Sequence, residues 1–266
     1  MDERFSLAGR VAVVTGGAGL LGARFAAALA AQGASVAIAD CDEVGARRAA
    51  QGIKARGKAA VQGYKVVLPQ PDSVKRLKAR VEKELGPVDI LINNAATKTP
   101  GFFQRFEDYS LKDWNAVMDV NLTGAMVCAQ VVGGAMALRG EGSIINIASI
   151  YGVVGSDQRI YEKSKYLGRP INNPAVYSAS KAGLLGLTRY LAAYWGHRGV
   201  RVNALTPGGV FSGQNDEFTR RYSARVPMGR MARADELMGA ILFLSSRASS
   251  YVTGQNLIVD GGWTAW

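Results

Sequence analysis

Residues 11–22, Val-Ala-Val-Val-Thr-Gly-Gly-Ala-Gly-Leu-Leu-Gly, decide the fold of this chain. The apolar run predicts a buried strand, the glycines predict a sharp turn, and the alanine-rich continuation to about Gln32 predicts a helix. Glycines suit such a turn because the backbone bends tightly there and comes close to a ligand. The free N–H groups at the start of the following helix then attract an anion such as a pyrophosphate. Glycine-rich turns also arise for structural reasons alone, so the surrounding sequence has to support this interpretation.

A second apolar stretch, Ser35–Ala39, follows the helix and ends on Asp40. A carboxylate at the end of the second strand, 18 residues beyond Gly22, is placed to meet the ribose hydroxyls of a dinucleotide. The turn and the carboxylate together predict a dinucleotide site. The residues expected to contact the dinucleotide from these elements are Gly16, Gly19, Leu20, Leu21, Gly22 and Asp40.

Apolar strands and helices continue to alternate along the rest of the chain. This order predicts right-handed crossovers and a parallel sheet with helices on both faces. The predicted fold class is therefore α/β, a Rossmann-type doubly wound parallel sheet in three αβα layers, forming one domain over residues 1–266. Because such sheets bind ligands at the carboxyl edge of their strands, Asn94 and Ala95, which follow the apolar strand 88–93, join the predicted dinucleotide site.

The formal charge of +11 raises the question of a nucleic-acid partner. Much of the basic excess lies between Arg47 and Glu84, where an amphipathic helix turns its lysines and arginines outward, so a solvated surface explains it and no nucleic acid is expected. No uninterrupted apolar run reaches the roughly 18 residues of a membrane span, and the N-terminal residues lack the order of a signal peptide. We therefore expect a cytoplasmic protein without membrane association. Cys41 and Cys128 lack a metal-binding spacing and His197 is the only histidine, so no metal site is predicted.

Four polar residues stand at positions that suit chemistry. Asn121 interrupts the apolar face of a long predicted helix, and a buried amide there either ties the helix to a neighbour or serves a site. Ser149 ends a buried strand. Tyr177 and Lys181 lie at i and i+4 in the first turns of another helix, hence on one face. A phenol with an ordinary pKa near 10 is a poor base at neutral pH, and an ammonium one turn away favours its ionised form.

With these motifs assembled, the chain resembles a short-chain dehydrogenase/reductase over nearly its whole length. The matching motifs are Thr15-Gly16, Asn93-Asn94-Ala95, Asn121, Ser149, Tyr177-Ser-Ala-Ser-Lys181, Pro207-Gly208 and Val259-Asp-Gly-Gly262. The resemblance implies that Tyr177 is the acid or base on the substrate oxygen, while Lys181 lowers its pKa and holds the nicotinamide ribose. It also implies that Ser149 orients the substrate, that Asn121 supports Lys181 through a water, and that Pro207 and Gly208 contact the cofactor.

The sequence departs from the family pattern at several positions. Leu20 stands where the family usually has a second glycine, Ala96 replaces the glycine of Asn-Asn-Ala-Gly, and Val67 falls where an aspartate often touches the adenine. The largest departure is the spacing of the catalytic residues. Ser149 and Tyr177 are 28 residues apart, whereas the family has about a dozen residues between them.

A second Tyr-x-x-x-Lys pair, Tyr161 and Lys165, sits at the usual distance from Ser149. We assign the catalytic role to Tyr177 because Gly168-Arg-Pro170 would break any helix that carried Tyr161. Residues of about 156–174 are then an insert beside the active site, and 209–230 form a mobile substrate lid. The basic residues of the insert either meet an anionic substrate or belong to an ordinary solvated loop; they are Arg159, Lys163, Lys165 and Arg169.

The predicted function is NAD(H)-dependent interconversion of a secondary alcohol and a ketone. NAD is expected in preference to NADP because Asp40 would repel a 2′-phosphate. The substrate suggested by the insert, lid and aromatic tail is a sugar, polyol or sugar acid. Reduction of a 3-oxoacyl thioester is a second enzymatic hypothesis, and a non-catalytic nucleotide-sensing or scaffold protein is a third.

The resemblance also implies a symmetric homotetramer, with a dimer as the alternative. Apolar and aromatic residues that would support assembly lie along the helix of Tyr177 and at the end of the chain. They are Tyr190, Leu191, Tyr194, Trp195, Trp263 and Trp266.

Overall fold

A seven-stranded parallel sheet forms the centre of the protein. The computed structural model describes residues 2–55, 57–166 and 168–266. Its strands are β1 Val11–Thr15, β2 Ser35–Asp40, β3 Val61–Lys65, β4 Ile90–Asn93, β5 Gly142–Ile147, β6 Lys165–Tyr166, β7 Arg169–Pro170, β8 Val200–Pro207 and β9 Asn256–Val259. The sheet order is β3-β2-β1-β4-β5-β8-β9, while β6 and β7 form a separate antiparallel pair. The order reverses between β1 and β4, which opens a crevice at the carboxyl edge.

Helices cover both faces of this sheet. They are α1 Leu20–Ala31, α2 Glu43–Gln51, α3 Pro71–Glu84, α4 Leu111–Arg139, α5 Ala175–Trp195, α6 Asp216–Ser223 and α7 Met238–Ser245. Alternate side chains of a strand point to opposite faces of the sheet. Val13 packs with α3, α4 and α5 on one face, whereas Val14 packs with α1 and α7 on the other. Because both faces are buried, β1 is apolar along most of its length rather than alternating. The three-layer α/β fold predicted from the sequence is confirmed.

Helix α4 is apolar enough by composition to cross a membrane, with a mean hydropathy of 1.4 in its most apolar window. More than half of that window, 56%, is buried against the rest of the protein, which accounts for the apolar sequence. The helix also widens into a π-helical turn at Asp119–Thr123. This turn carries Asn121 into the interior.

The segments 156–174 and 209–230 pack against each other above the carboxyl edge. The first holds a short 3₁₀ turn, Gln158–Tyr161, and the β6/β7 hairpin. The second, predicted as a substrate lid, contains the eight-residue helix α6. Arg221 joins the segments by donating to the Arg159 carbonyl at 2.6 Å and pairing with Glu162 at 3.2 Å.

Candidate active site

A cavity of about 710 Å³ opens at the carboxyl edge of the sheet. The glycine turn, the ends of β4, β5 and β8, the start of α5 and both covering segments contribute to its wall. Predicted site residues that line it are Gly16, Gly19, Leu20, Leu21, Asp40, Asn94, Ala95, Ser149, Tyr177, Lys181, Pro207 and Gly208. Gly22 and Asn121 lie behind this wall and act on it through their neighbours.

The glycine turn leaves no room for side chains at Gly16, Gly17 and Gly22. Gly16 has φ +61°, and a Cβ there would lie 2.7 Å from the Cα of Ala95. A Cβ on Gly22 would lie 2.3 Å from the Gly16 carbonyl oxygen, so this glycine allows α1 to pack on the turn. Leu20, in contrast, is 50% exposed as the first residue of α1. The side chain that stands where the family usually has a second glycine therefore lies on the cavity wall and not inside the turn.

Asn94 fastens the glycine turn to the end of β4. Its side-chain Nδ2 donates to the carbonyls of Thr15 and Gly16, both at 3.0 Å. In return, Thr15 Oγ1 accepts from the backbone N–H groups of Asn94 and Ala95 at 3.1 and 3.2 Å. These bonds fix the backbone that would meet the pyrophosphate.

Asp40 has a structural partner as well as a place on the cavity wall. Its Oδ2 accepts from the Ala18 N–H at 3.1 Å and its Oδ1 from the Asp42 N–H at 3.1 Å. The carboxylate is thereby held beside the turn, where the ribose of a dinucleotide would lie. Val67 also lines the cavity, but its N–H already donates to Ser73 Oγ at 2.9 Å.

Lys181 is almost completely buried beneath Tyr177. Its Nζ donates to the Ile147 carbonyl at 2.7 Å and lies 5.8 Å from the centroid of the Tyr177 ring. Burial lowers the pKa of Lys181 to about 8, because the charged form loses its hydration. Helix α5 sets this geometry, since i and i+4 fall on one face.

Tyr177 and Ser149 meet through a side-chain hydrogen bond. They are close because the turn after Ser149 packs on α5: a Cβ on Gly152 would lie 2.7 Å from the Lys181 carbonyl carbon. Burial raises the pKa of Tyr177, and the hydrogen bond from Ser149 opposes that shift. The net direction is opposite to the lowering expected from Lys181, because desolvation of the phenol is the largest contribution.

Asn121 ties two elements together behind the cavity. It is 1% exposed; its Oδ1 accepts from the Thr97 N–H at 3.0 Å and its Nδ2 donates to Ser180 Oγ at 3.2 Å. Of the two roles the sequence allowed, the structure shows the tie between helices α4 and α5 and the loop after β4. The amide reaches Lys181 indirectly, through the helix that carries it.

The insert contributes to the wall through residues other than its basic side chains. Within the described residues, the side chains of Arg159, Lys163 and Lys165 do not line the cavity, and the side chain of Arg169 lies outside the described part. Arg159 instead pairs with Asp157 at 2.9 Å. The wall residues that the insert supplies are Tyr161, Ile171, Asn172, Asn173 and Pro174.

Sequence reasoning missed the loop that follows β4. Lys98, Phe102 and Phe103 of this loop line the cavity, and the ring of Phe102 contacts that of Tyr177 with 6.4 Å between centroids. The signal was present, because residues that follow a central strand of an open α/β sheet lie at its binding edge. The motif Asn94-Ala95 marks this edge, but the predicted site ends there and leaves out residues 98–103, which lie four to nine positions beyond Asn94.

The fold and this site define a nucleotide-dependent dehydrogenase built on a doubly wound sheet. The profile of the short-chain dehydrogenase group described as enoyl-(acyl carrier protein) reductase matches residues 17–264. The chain belongs to the classical short-chain dehydrogenase/reductase family, as an NAD(P)-dependent dehydrogenase that acts on CH–OH groups.

Individual relatives match along their full length. The chain is 34% identical to D-threitol dehydrogenase of Mycolicibacterium smegmatis, covering 99% of this chain and 96% of that protein. It is 37% identical to cis-4-hydroxycyclohexanecarboxylate dehydrogenase of Sinomonas cyclohexanicum, covering 100% of both. Among solved structures, gluconate 5-dehydrogenase from Burkholderia cenocepacia in complex with NADP and tartrate superposes with a TM-score of 0.85 at 32% identity, covering 99% of this chain and 98% of that one.

Proposed function

We propose that the protein is an NAD(H)-dependent oxidoreductase that interconverts a secondary alcohol and a ketone, with Tyr177 as the acid and base on the substrate oxygen. The observation that carries the proposal is the convergence of Ser149, Tyr177 and Lys181 on one cavity that also includes the glycine turn. The glycine turn and Asp40 fit a dinucleotide, since Gly16 keeps the backbone open to a ligand and Asp40 stands where ribose hydroxyls would lie. When bound, the nicotinamide cofactor supplies the hydride chemistry.

The chain's own residues supply placement and the proton. The raised pKa keeps Tyr177 protonated near neutral pH, ready to donate to a ketone oxygen. In the opposite direction the phenol has to release its proton before it accepts one from the alcohol. Ser149 hydrogen-bonds the reacting oxygen, and Lys181, charged below a pKa of about 8, favours the ionised phenol at that moment. Asn121 holds α5 in place through Ser180.

NAD rather than NADP is the proposed cofactor. A 2′-phosphate would face the Asp40 carboxylate, and like charges at that distance repel. Dissociation constants for both cofactors test this choice, and tighter binding of NADP contradicts it. Asp40→Asn provides a sharper version: removal of the charge should improve NADP binding relative to NAD about tenfold or more, while Asp42→Asn, two residues away, should change the ratio little.

A polyhydroxylated substrate, such as a sugar, polyol or sugar acid, is the proposed substrate class. Support comes from hydrogen-bonding side chains on the substrate part of the wall, including Tyr161, Asn172, Gln214 and Tyr222. D-Threitol dehydrogenase and gluconate 5-dehydrogenase among the relatives point to the same class. The 3-oxoacyl-[acyl-carrier-protein] reductase of Escherichia coli, 32% identical to this chain, supports reduction of a 3-oxoacyl thioester as the alternative.

The segment 156–174 is proposed as an insertion and 209–230 as the substrate lid. Both line the cavity, through Tyr161 and Asn172 on one side and Phe218 and Tyr222 on the other. The ring of Tyr161 lies 5.4 Å from that of Phe218, so the two segments meet over the site. If the lid moves, the insert has to move or release it.

A symmetric homotetramer is the proposed assembly. Tyr190 and Tyr194 are exposed and stack at 5.8 Å on the outer face of α5, and Trp266 is 81% exposed. Leu191 and Trp195, which the sequence assigned to the same surface, are buried in the protomer and contribute to its core instead. Light scattering that gives a stable monomer at micromolar concentration contradicts the proposal.

Absorbance of the reduced cofactor at about 340 nm tests the proposed reaction. Purified protein is mixed with NAD and a panel of polyols and sugar acids, or with NADH and keto acids and 3-oxoacyl thioesters. Turnover of polyols or sugar acids supports the main proposal. Turnover of thioesters alone supports the second candidate, and cofactor binding without turnover of any compound supports the non-catalytic one.

A further inference from the structure

Tyr161 of the insert brings an aromatic ring to the cavity wall. The side chain lines the cavity and is partly buried. Its ring lies 5.4 Å from the ring of Phe218 in the lid, centroid to centroid. Its hydroxyl donates to the Tyr151 hydroxyl at 3.1 Å, so the donor of this phenol is engaged. The ring carbons are therefore what Tyr161 chiefly offers to a substrate.

The backbone that carries this ring is held on both sides. Tyr161 ends the 3₁₀ turn, and its carbonyl accepts from the Ser164 N–H at 2.9 Å. Two residues earlier, the Arg159 carbonyl accepts from Arg221 of the lid at 2.6 Å. A flat side chain on a fixed backbone loses little conformational freedom when a ligand lies on it.

The proposed acid-base group also has carbon-rich neighbours. Tyr177 packs against the apolar cluster of the insert and lid, which contains Tyr151, Tyr161 and Phe218. It packs as well against Phe102 of the loop after β4, with 6.4 Å between the ring centroids and an edge-on orientation. A substrate whose carbinol oxygen reaches Tyr177 therefore has aromatic surface beside it.

The polar side chains of the same wall are largely engaged by the protein itself. Asn172 donates to two backbone carbonyls of the loop after β4, at 2.9 and 3.3 Å. The Gln214 side chain accepts from and donates to the lid backbone, at 2.7 and 3.2 Å. The Tyr222 hydroxyl accepts from the Gly209 N–H. An open-chain polyol carries hydroxyls along its whole length, and each one buried without a partner weakens binding.

A ring arranges the same groups differently. Most hydroxyls of a six-membered ring point outward around its rim, while C–H groups cover much of its two faces. One face can lie on an aromatic side chain while the rim reaches Ser149 and Tyr177. A closed ring also has fewer rotatable bonds to fix than an open chain, which lowers the entropic cost of binding.

We propose that Tyr161 is a specificity-determining residue that supports a ring-shaped substrate, so that the enzyme acts on a secondary alcohol of a sugar or other hydroxylated ring in preference to an open-chain polyol. The inference rests on the proposed function and narrows its substrate class. The aromatic surface of Tyr161, supported by Phe218, contacts a C–H face of the substrate. The carbinol oxygen on the rim meets Tyr177 and Ser149.

Calorimetry on the enzyme–NADH complex tests the inference without turnover, because an alcohol cannot transfer a hydride to a cofactor that is already reduced. The ligands are pairs with equal numbers of carbons and hydroxyl groups. They are myo-inositol with D-glucitol, and trans-1,2-cyclohexanediol with 3,4-hexanediol. Wild type should bind at least one ring compound about 3- to 10-fold more tightly than its open-chain partner.

Three variants locate the source of this preference. Tyr161→Leu removes the aromatic surface, so the two partners should bind within about twofold of each other, with the open-chain compound little changed. Tyr161→Phe keeps the ring and should retain most of the preference. Phe211→Leu is the matched control: Phe211 is an exposed lid residue outside the described cavity wall, and its loss should leave the preference at the wild-type value. NADH affinity reports the integrity of the fold in every variant.

The outcomes distinguish the inference from the proposed function. Equal binding of ring and open-chain partners by wild type, or a preference that persists in Tyr161→Leu, overturns the inference even if alcohols are oxidised. Loss of the preference in Tyr161→Phe assigns it to the hydroxyl, and loss in Phe211→Leu assigns it to the lid as a whole; either result overturns the role of the aromatic surface. A ring preference that depends on Tyr161, in a protein that oxidises no alcohol, keeps the ring site and overturns the proposed reaction.

Discussion

Two Tyr-x-x-x-Lys segments lie beside one cavity, and their structures differ. Tyr177 and Lys181 occupy the first turns of a 21-residue helix, with the lysine buried under the ring. Tyr161 ends a 3₁₀ turn and donates to the Tyr151 hydroxyl at 3.1 Å, while Lys165 is exposed in the β6/β7 hairpin. Equal spacing in sequence gives a shared face only when a helix carries it. The comparison shows that backbone geometry distinguishes the two pairs.

Substitution of Tyr177 tests this difference most strongly. Tyr177→Phe removes the hydroxyl that meets Ser149 but keeps the ring that packs on Phe102. We expect kcat to fall by about 10²- to 10⁴-fold, since a positioned acid-base group contributes about that much. NAD affinity, measured by titration, should change little. Retention of full turnover would reverse the assignment of the two segments.

Removal of Lys181 should lower both kcat and the affinity for NAD. In Lys181→Met the ammonium beneath the phenol is lost, so both kcat and the affinity for NAD should decrease, kcat by about 100-fold. Lys165→Met is the matched control, and it should leave both values unchanged because that side chain does not line the cavity. A decrease in kcat with unchanged NAD affinity would show that Lys181 acts on the phenol alone.

The same variant should increase stability. Burial lowers the pKa of Lys181 from 10.5 to about 8, so the unfolded chain holds this proton more tightly than the folded protein. Below a pH of about 8 both states are protonated and the full desolvation cost is present; between about 8 and 10.5 the folded state deprotonates first and the cost declines. Lys181→Met should therefore raise the free energy of unfolding near neutral pH by on the order of 2 kcal/mol, allowing for the lost bond to Ile147.

Urea unfolding near neutral pH and again at about pH 10 measures this effect. The advantage of Lys181→Met over wild type should shrink as the pH rises through that window. An advantage that grows with pH, or a variant less stable than wild type at neutral pH, would mean that the hydrogen bond to Ile147 outweighs desolvation. Lys165→Met, with an exposed lysine, should show no such dependence.

The sequence was sufficient to predict the fold and the convergence of the site. Apart from Asn121, which lies within α4, the predicted residues end or follow a strand or begin a helix. Parallel strands bring their carboxyl ends to one edge, which favours the approach of Ser149 and Tyr177. The direction of the Tyr177 pKa shift was not predictable, because it depends on how deeply neighbouring elements bury the ring. Lys98 was missed because the rule that places residues after a central strand at the binding edge was applied no further than Asn94 and Ala95. The burial of Trp195 was missed because a helical stripe does not reveal what covers it.

The smallest expected effect concerns Tyr161. Tyr161 lines the cavity and its ring packs on Phe218 of the lid, so Tyr161→Phe keeps the apolar contact and loses only the hydroxyl that donates to Tyr151. The Tyr161 hydroxyl already donates to Tyr151 and the lysine of its motif, Lys165, is exposed, so we expect kcat to remain within about twofold of wild type. KM should rise a few-fold if the hydroxyl bonds a substrate group, because a neutral hydrogen bond contributes about 1 kcal/mol.

Steady-state kinetics of Tyr161→Phe beside Tyr151→Phe shows whether the Tyr161 hydroxyl bonds the substrate or only Tyr151. A rise in KM in both variants indicates that the pair of hydroxyls acts as one unit, whereas a kcat of Tyr161→Phe as low as that of Tyr177→Phe would show that the insert carries chemistry as well as shape.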